Sequence, residues 1–255
     1  MEGGRRLRTM ETGARDVARH WNEIYGRRLP TEVSWYQDQP TVSLTLLDAL
    51  RATPDQPIVD VGGGASVLVD RLLDRRFGDV SVLDVSATAL AHAKKRLAER
   101  AESVHWLNED VLTWRPARRY GIWHDRAVFH FLVEESQRTA YLAALRAALT
   151  SRARVVIGTF AGDGPQQCSG LPVQRYDPGD LAAVFGAEFD VVEHRRDGHR
   201  TRTGPSSHSP GWAWCGAQSS SHAPGLSNEA FEQQPVWGSS DSAITDEPHE
   251  PFGTL

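Results

Sequence analysis

The sequence has few cysteines, no long apolar run and no excess of positive charge, and each absence excludes a class of protein. Only Cys168 and Cys215 occur among 255 residues, so the disulfide framework of a small secreted domain is not indicated. No run approaches the roughly 20 apolar residues that span a bilayer. A secretory signal has an apolar region after its basic residues, and none follows the N-terminal arginines here. The net charge of −5 argues against a nucleic-acid-binding protein. We therefore expect a cytoplasmic protein that binds neither nucleic acid nor membrane.

Basic residues are absent from the C-terminal part of the chain. Arg202 is the last of them, so the first 204 residues carry a net charge of +1, from 28 basic and 27 acidic residues. From Pro205 onward the chain has ten Ser, six Pro and six acidic residues but little Leu, Ile or Val. Such a segment buries too little apolar surface to offset its ordering entropy. The composition predicts a flexible segment over residues 1–13, a folded domain over 14–204 and a disordered acidic tail over 205–255.

Short apolar runs alternate with amphipathic stretches through the predicted domain. This alternation favours an α/β fold, in which helices cover both faces of a doubly wound, mostly parallel sheet. The predicted strands are 58–61, 80–85, 104–107, one within 121–128, 154–160 and 189–194. The predicted helices are 14–26, 41–52, 67–75, 87–98, 134–149 and 178–185.

Three consecutive glycines follow the first predicted strand. In the stretch PIVDVGGGASVLVDRLL, Asp60 comes just before Gly62, Gly63 and Gly64. Ligands of a parallel sheet bind outside the carboxyl ends of its strands, and glycines there permit positive φ and close approach of a ligand. The next helix offers unpaired N–H groups to a negatively charged group. A tight turn without a ligand explains the glycines equally well.

The spacing of the glycines separates two classes of cofactor. A dinucleotide site needs G-x-G-x-x-G, but Val67 stands at the third position. The pattern acid-x-Gly-x-Gly-x-small, from Asp60 to Ser66, resembles motif I of the class I S-adenosylmethionine-dependent methyltransferases. An acid there would repel a pyrophosphate but suits the ammonium of a methionine group. An NAD(P)-dependent oxidoreductase is the rival enzyme class.

Acidic residues follow the second and third predicted strands. Asp84 ends the second strand, where a carboxylate can accept hydrogen bonds from ribose hydroxyls, as it also does in NAD enzymes. The resemblance implies that Asp110 accepts a hydrogen bond from the adenine amino group, although a turn cap would also explain it. Their neighbours Val85 and Val111 are included in the predicted cofactor site.

The fourth predicted strand ends in charged residues. In WHDRAVFHFL, Asp125 and Arg126 are an unusual end for a buried strand unless a site lies there. The stretch resembles the motif IV region of small bacterial methyltransferases, which assigns Asp125 to the cofactor site. A base is needed only if the methyl acceptor must first lose a proton, and the candidates are His124, Asp125 and His130. Either histidine could instead be a neutral packing residue. No metal-ligand spacing is present, so we predict no metal.

Aromatic residues are concentrated ahead of the first predicted strand. Trp21, Tyr25, Trp35 and Tyr36 resemble the W-x-x-x-Y motif and following W-Y pair of relatives of protein-lysine methyltransferases. Aromatic faces suit a sulfonium cation, and the resemblance implies a helical lid over the cofactor. Packing explains Trp21 well, whereas cofactor or substrate contact is an equal alternative for Tyr25 and Tyr36.

The resemblance breaks down at the C-terminal end. Class I methyltransferases complete their sheet with an antiparallel strand, which in the bacterial relatives follows a Thr-x-x-Gly turn. Thr201 and Gly204 supply that turn, but SSHSPGWAWC alternates poorly. In the bacterial relatives, that strand carries Gln-Pro-Phe-Thr-Trp-Val. Residues 206–212 can be written in codons that encode this same sequence when they are read in a shifted frame. The sequence predicts a missing or altered last strand, and we hypothesise a reading-frame shift near Pro205; a genuine flexible tail is the alternative.

The resemblance implies an S-adenosylmethionine-dependent methyltransferase (EC 2.1.1.-) with a Rossmann-like sheet. Transfer from a sulfonium mainly requires alignment of the reactants and exclusion of water. The acceptor is expected to be a small molecule or a protein nucleophile. No Asn-Pro-Pro-Tyr motif follows the fourth strand, so nucleobase amino groups are not expected acceptors. A cofactor-binding protein with little catalysis, because of the altered C-terminal end, is the non-enzyme alternative.

Overall fold

A computed structural model of the chain describes residues 2–200 and 208–218. All of these residues belong to one compact unit, Met1–Pro224. The predicted turn residues Thr201 and Gly204, the proposed frame-shift position at Pro205 and the tail beyond residue 218 lie outside the described residues. None of the helices in the described ranges has the length and apolar content to cross a bilayer.

A seven-stranded sheet forms the centre of the fold, with strand order β3-β2-β1-β4-β5-β9-β8. The first five strands in this order, β3, β2, β1, β4 and β5, pair in parallel, whereas β9 is antiparallel to both β5 and β8. The short strands β6 and β7 form a separate hairpin. The strands are β1 Ile58–Val61, β2 Val80–Leu83, β3 Val104–Leu107, β4 Tyr120–Arg126, β5 Leu149–Phe160, β6 Gln167–Cys168, β7 Leu171–Pro172, β8 Phe189–Arg200 and β9 His208–Gln218.

Six α-helices are described, and most begin and end within a few residues of their predicted bounds. They are α1 Glu2–Arg27, α2 Thr41–Ala49, α3 Leu68–Asp74, α4 Ala87–Leu97, α5 Glu135–Ala148 and α6 Pro178–Phe185. The largest difference is at α1, which begins at Glu2, so that residues 2–13 continue the helix predicted to start at residue 14.

The last antiparallel strand is present, so the prediction that it is missing is wrong. Residues 208–218 form β9, which fills the position between β5 and β8. The strand therefore lies beyond the predicted end of the folded domain at residue 204. The mostly parallel, doubly wound sheet with helices is otherwise as predicted.

Two apolar layers enclose the sheet because neighbouring residues of each strand point to opposite faces. In β1, Ile58 packs with α2, α3 and α4, whereas Val59 packs with α5 and α6. In β4, Ile122 packs on the same side as Ile58, and Trp123 packs on the same side as Val59. Burial on both faces explains why the strands read as nearly continuous apolar runs. Polar residues at their carboxyl ends therefore stand out, and those residues line the cleft described next.

Candidate functional site

The glycine bend after β1 has a backbone conformation that side chains would not permit. Gly62 and Gly64 have φ angles of 69° and 38°, in the left-handed region that favours glycine. A Cβ atom on Gly63 would lie 2.5 Å from Oδ2 of Asp60, and one on Gly64 would lie 2.6 Å from Oδ2 of Asp84. The bend therefore packs its backbone directly against the two carboxylates.

A two-lobed cleft opens at the carboxyl ends of β1, β2 and β4. The main lobe has a volume of about 430 Å³, within the range of small-molecule sites, and a smaller lobe has about 50 Å³. The predicted site residues that line the main lobe are Tyr25, Gly62, Asp84, Val85, Asp110, Val111, His124, Asp125 and His130. Those that line the smaller lobe are Tyr25, Tyr36, Asp60, Gly62, Gly63, Ser66 and His124. Gly64 lines neither lobe and lies against Asp84.

Asp84 and Asp110 are half-buried in the wall of the main lobe. Oδ1 of Asp84 accepts a hydrogen bond from the backbone N–H of Ser86 at 2.7 Å. Burial, together with the nearby charge of Asp60, raises the pKa of Asp84 to about 7. Oδ1 of Asp110 accepts from the N–H of Leu112 at 2.9 Å, and burial raises the pKa of Asp110 as well. Both groups ionise more readily when a ligand donates hydrogen bonds to them.

Asp60 is joined to two other buried side chains. Its Oδ1 lies 2.7 Å from Nδ1 of His124, and Nε2 of His124 lies 2.9 Å from Oγ of Ser43. The three residues are 2%, 2% and 4% exposed. This chain of hydrogen bonds connects β1, β4 and α2 beneath the smaller lobe. Both ring nitrogens of His124 therefore have partners within the fold.

Asp125 is fully buried and is surrounded by donors. Its carboxylate accepts from the N–H groups of Val128 and Phe129 at 2.8 and 3.1 Å, and from the hydroxyl of Tyr141 at 2.6 Å. The indole N–H of Trp123 donates to the same hydroxyl at 2.8 Å. Burial raises the pKa of Asp125 to about 7, although the bond from Tyr141 opposes this shift. These contacts fix the turn that follows β4.

His130 differs from the other two predicted catalytic residues because neither ring nitrogen has a hydrogen-bond partner among the described residues. The side chain is 1% exposed and its ring stacks on that of Phe160, with centroids 4.7 Å apart and an angle of 6°. Burial, and secondarily the charge of Arg126, lowers the pKa of His130 to about 3. The imidazole is therefore neutral near pH 7, with one donor and one acceptor.

The C-terminal half of α1 lies over the cleft, where the sequence predicts a lid. Oδ1 of Asn22 accepts from Oγ of Ser86 and from the backbone N–H of Thr88, at 2.8 and 3.1 Å. This attaches α1 to the first turn of α4. The indole N–H of Trp35 donates to the hydroxyl of Tyr25 at 3.1 Å, and both residues line both lobes.

Several residues of the cleft were not predicted. Arg126 lines both lobes, and its guanidinium donates to the backbone carbonyl of Trp35 at 3.1 Å. Cys168 and Leu171, in the β6–β7 hairpin, and Thr159 line the main lobe. The charge at the end of the fourth strand indicated a site at Arg126 but gave this residue no role, whereas the hairpin carries only a Ser-Gly turn signal. Within the described ranges, no three His, Cys, Asp or Glu side chains are grouped as metal ligands.

A family model described as "Methyltransferase domain" matches residues 58–152, from β1 into β5. The predicted resemblance to the class I methyltransferases is confirmed. The matched segment contains the glycine bend and the acids that follow β2, β3 and β4. No curated protein matches the chain.

Solved structures with a similar fold include several methyltransferases. The N-methyltransferase NodS from Bradyrhizobium japonicum, in complex with S-adenosyl-L-homocysteine, aligns with a TM-score of 0.57 at 16% identity, over 77% of this chain and 97% of that one. The 1,6-didemethyltoxoflavin-N1-methyltransferase from Burkholderia thailandensis aligns with a TM-score of 0.57 at 16% identity, over 85% and 89%. An S-adenosylmethionine-dependent methyltransferase from Anabaena variabilis aligns with a TM-score of 0.60 at 17% identity, over 80% of this chain and 95% of that one. Identities this low show a common fold and leave the acceptor open.

Proposed function

We propose that this protein transfers a methyl group from S-adenosylmethionine to a small-molecule or protein nucleophile. The observation that supports this most directly is the convergence of Asp60, Asp84 and Asp110 on one cleft beside the glycine bend. Three carboxylates around a backbone bend suit a cofactor that offers an ammonium group, hydroxyl groups and an amino group. They do not suit a diphosphate.

The main lobe is proposed to hold the adenosine part of the cofactor. Asp84 is positioned by the N–H of Ser86 and would accept hydrogen bonds from the ribose hydroxyls. Asp110 would accept from the adenine amino group, with the apolar side chains of Val85 and Val111 beside the base. The raised pKa values of the two acids fit this role, because donors from a ligand would offset the cost of burying their charge.

The smaller lobe is proposed to hold the amino-acid part of the cofactor. Asp60 supplies negative charge for an ammonium group, and the guanidinium of Arg126 supplies positive charge for a carboxylate. Tyr36 and Ser66 complete the wall of this lobe. When bound, S-adenosylmethionine supplies an activated methyl group on a sulfonium. The aromatic residues of α1 and Trp35 cover the cleft and would exclude water from it.

His124 and Asp125 are proposed to hold the site in shape and not to accept a proton from the acceptor. The polar atoms of both side chains already have partners within the fold. A general base must reach the proton that it removes, and these contacts would have to be broken first. Their proposed function is to fix Asp60 and the turn after β4.

The two alternatives have weaker support. An NAD(P) enzyme would need its third glycine at Val67, which is buried and 8% exposed, and would place a pyrophosphate near Asp60. The cofactor-binding protein with little or no catalysis depends on an altered C-terminal end that leaves a sheet position unfilled. Since β9 occupies its position in the sheet, that argument no longer applies.

Calorimetric titration with S-adenosylmethionine, S-adenosylhomocysteine and NAD tests the cofactor assignment. We expect the first two to bind with micromolar affinity and NAD not to bind. Asp84→Ala should weaken both by at least tenfold, because the buried ribose hydroxyls would lose their acceptor. Asp55→Ala, at an exposed position after α2, serves as the matched control and should have no effect.

Methyl transfer is tested separately. The protein is incubated with donor labelled in the methyl group and with fractionated cell extract, and radioactivity is followed into protein and into small molecules. Retention of NAD but of neither sulfur compound would contradict the proposal. Cofactor binding without transfer to any fraction would favour the non-catalytic alternative.

A further inference from the structure

Two buried polar side chains that have no partner among the described residues line the main lobe. His130 is 1% exposed and Thr159 is 5% exposed. Neither ring nitrogen of His130, nor Oγ1 of Thr159, has a hydrogen-bond partner among the described residues. Both side chains line the main lobe. Buried polar atoms in native proteins are nearly always paired, so these groups call for a partner that enters the cleft.

Aromatic rings pack against His130 and line the lobe beside it. The ring of His130 stacks on Phe160 and meets Phe131 edge-on, with a centroid distance of 4.4 Å for the second pair. Phe131 in turn contacts Trp21 of α1, at 5.4 Å between centroids. All four residues line the main lobe. Walls of this kind favour a flat ligand that presents a ring face or edge.

The electrostatics of this end disfavour a positively charged ligand. His130 is held neutral by burial and by the charge of Arg126. The carboxylate of Asp125, which lines the same lobe, already accepts from three donors. An ammonium group bound against the neutral ring of His130 would lose water there, and that ring supplies no charge to compensate it, which is costly.

We propose that this end of the cleft binds an uncharged, planar aromatic or heteroaromatic methyl acceptor, which exchanges hydrogen bonds with His130 and Thr159. The inference rests on the proposed function and names its substrate class. It favours a small molecule over a lysine side chain. A neutral imidazole and a hydroxyl each provide a donor and an acceptor, so the ligand should carry both as well.

The transfer step conserves atoms and charge. A lone pair on a nitrogen or oxygen atom of the acceptor attacks the methyl carbon, and the carbon–sulfur bond breaks with both electrons remaining on sulfur. The sulfonium becomes a neutral thioether, and the positive charge passes to the methylated atom. An acceptor atom that carried a proton, such as a hydroxyl oxygen, releases it to solvent when the product leaves, whereas a ring nitrogen without one retains the positive charge. His130 and Thr159 orient the acceptor and are proposed as acceptor-binding residues.

Calorimetric titration with four probes tests the proposal, with and without S-adenosylhomocysteine. The probes are 6-hydroxyquinoline, its hydroxyl-free parent quinoline, quinoline-6-carboxylate and N-acetyl-lysine methylamide. We expect 6-hydroxyquinoline to bind at least tenfold more tightly than each of the others, because only it is flat, uncharged and equipped with both a donor and an acceptor.

Substitutions identify where the probe binds. Thr159→Val removes the hydroxyl with little change in shape and should weaken binding of 6-hydroxyquinoline about tenfold. His130→Phe should do the same, and His130→Gln, which retains a donor and an acceptor, should recover part of the loss. Thr150→Val, on the same strand, is the matched control, because Oγ1 of Thr150 bonds the carbonyl of Tyr120 outside the lobe. Melting temperatures confirm that each variant folds.

The outcomes separate this inference from the proposed function. Tighter binding of quinoline-6-carboxylate or of the lysine probe would overturn the inference, as would no detectable binding of 6-hydroxyquinoline or unchanged binding in both the Thr159 and His130 variants. Failure of S-adenosylhomocysteine to bind would instead overturn the proposed function. Titration without S-adenosylhomocysteine still shows whether the part of the main lobe beside His130 and Thr159 selects the neutral probe.

Discussion

Nδ1 of His124 lies 2.7 Å from Oδ1 of Asp60, and the side chains are only 2% and 3% exposed. A buried carboxylate costs several kcal/mol unless a partner compensates its charge. The imidazole provides that partner and bonds Ser43 with its other nitrogen. The acid beside the glycine bend therefore depends on a residue 64 positions away along the chain.

Replacing His124 should destabilise the domain strongly. In His124→Leu, Asp60 would be left buried without its partner, and we expect the free energy of unfolding to fall by about 3 kcal/mol. Urea denaturation at pH 8 measures this change. Ser43→Ala is the control, since it removes only the outer hydroxyl and should cost about 1 kcal/mol. Equal losses in the two variants would mean that the pairing of Asp60 is not the source of the effect.

The hydroxyl of Tyr141 should matter more at high pH than at low pH. Tyr141→Phe removes the bond to Asp125 and the acceptor of the Trp123 indole, and we expect a loss of about 2 kcal/mol at pH 8. The bond from Tyr141 lowers the pKa of Asp125, which burial raises to about 7. Without the hydroxyl, Asp125 takes up a proton more readily, so the loss should shrink as the pH falls below 7.

Urea unfolding at pH 6 and pH 8 measures the effect of Tyr141→Phe. The same substitution in an Asp125→Asn background completes a double-mutant cycle. A similar loss at both pH values, or in both backgrounds, would show that the carboxylate is not involved.

The strands and helices around the site could be predicted because their signals are local. Ile58–Val61 is a buried run that ends at glycines, and Pro178–Phe185 begins with proline at its first position. Strand β9 could not be predicted in this way. Pro210, within it, argues against a central strand, but its position pairs only with Gly198 of β8, while the pairing with β5 begins at Gly211. The missing donor of proline is therefore tolerated.

The same distinction applies to the cleft. Asp84 and Asp110 follow strands whose ends meet at one edge of the sheet, so their place could be inferred from the order of elements. Ser43 and Thr159 show no such signal, because their importance comes from contacts or missing contacts that only the folded chain creates. The bonds of His124 to Asp60 and Ser43, and the bond of Asp125 to Tyr141, are likewise tertiary. Sequence alone left both as candidate bases.

A methyl group at the glycine bend should impair the proposed cofactor site. Gly62 has a φ angle of 69° and its Cβ position overlaps the side chain of Val128. We expect Gly62→Ala to weaken binding of S-adenosylhomocysteine by more than tenfold, because the bend or Val128, both of which line the main lobe, must move to relieve the overlap. Isothermal calorimetry measures the affinity.

Gly78→Ala is the matched control for the glycine prediction. A Cβ atom on Gly78 would have no neighbouring atom within 4 Å. The affinity of the Gly78→Ala variant for S-adenosylhomocysteine should therefore equal that of the wild type. If Gly62→Ala bound as tightly as the control, the bend would not form part of the site.

Asp84 should oppose stability while supporting binding. Its pKa in the folded protein is about 7, above the 3.8 of an unperturbed aspartate, so between these values the folded state binds more protons than the unfolded state. Stability from this group therefore falls as the pH rises towards 7. Asp84→Asn keeps an oxygen for the N–H of Ser86 but cannot ionise, and it should raise the melting temperature at pH 8 by about 2–4 °C.

The affinity for S-adenosylhomocysteine should show the opposite dependence on Asp84. Hydroxyl donors favour the ionised carboxylate, so binding to the wild type should strengthen as the pH rises from 5.5 to about 7 and level off above it. In Asp84→Asn the affinity should be at least tenfold weaker at pH 8 and nearly independent of pH over this range. Calorimetry from pH 5.5 to 8.5 measures both curves. A wild-type curve that is flat, or one that weakens towards pH 7, would be incompatible with Asp84 accepting hydrogen bonds from the ligand.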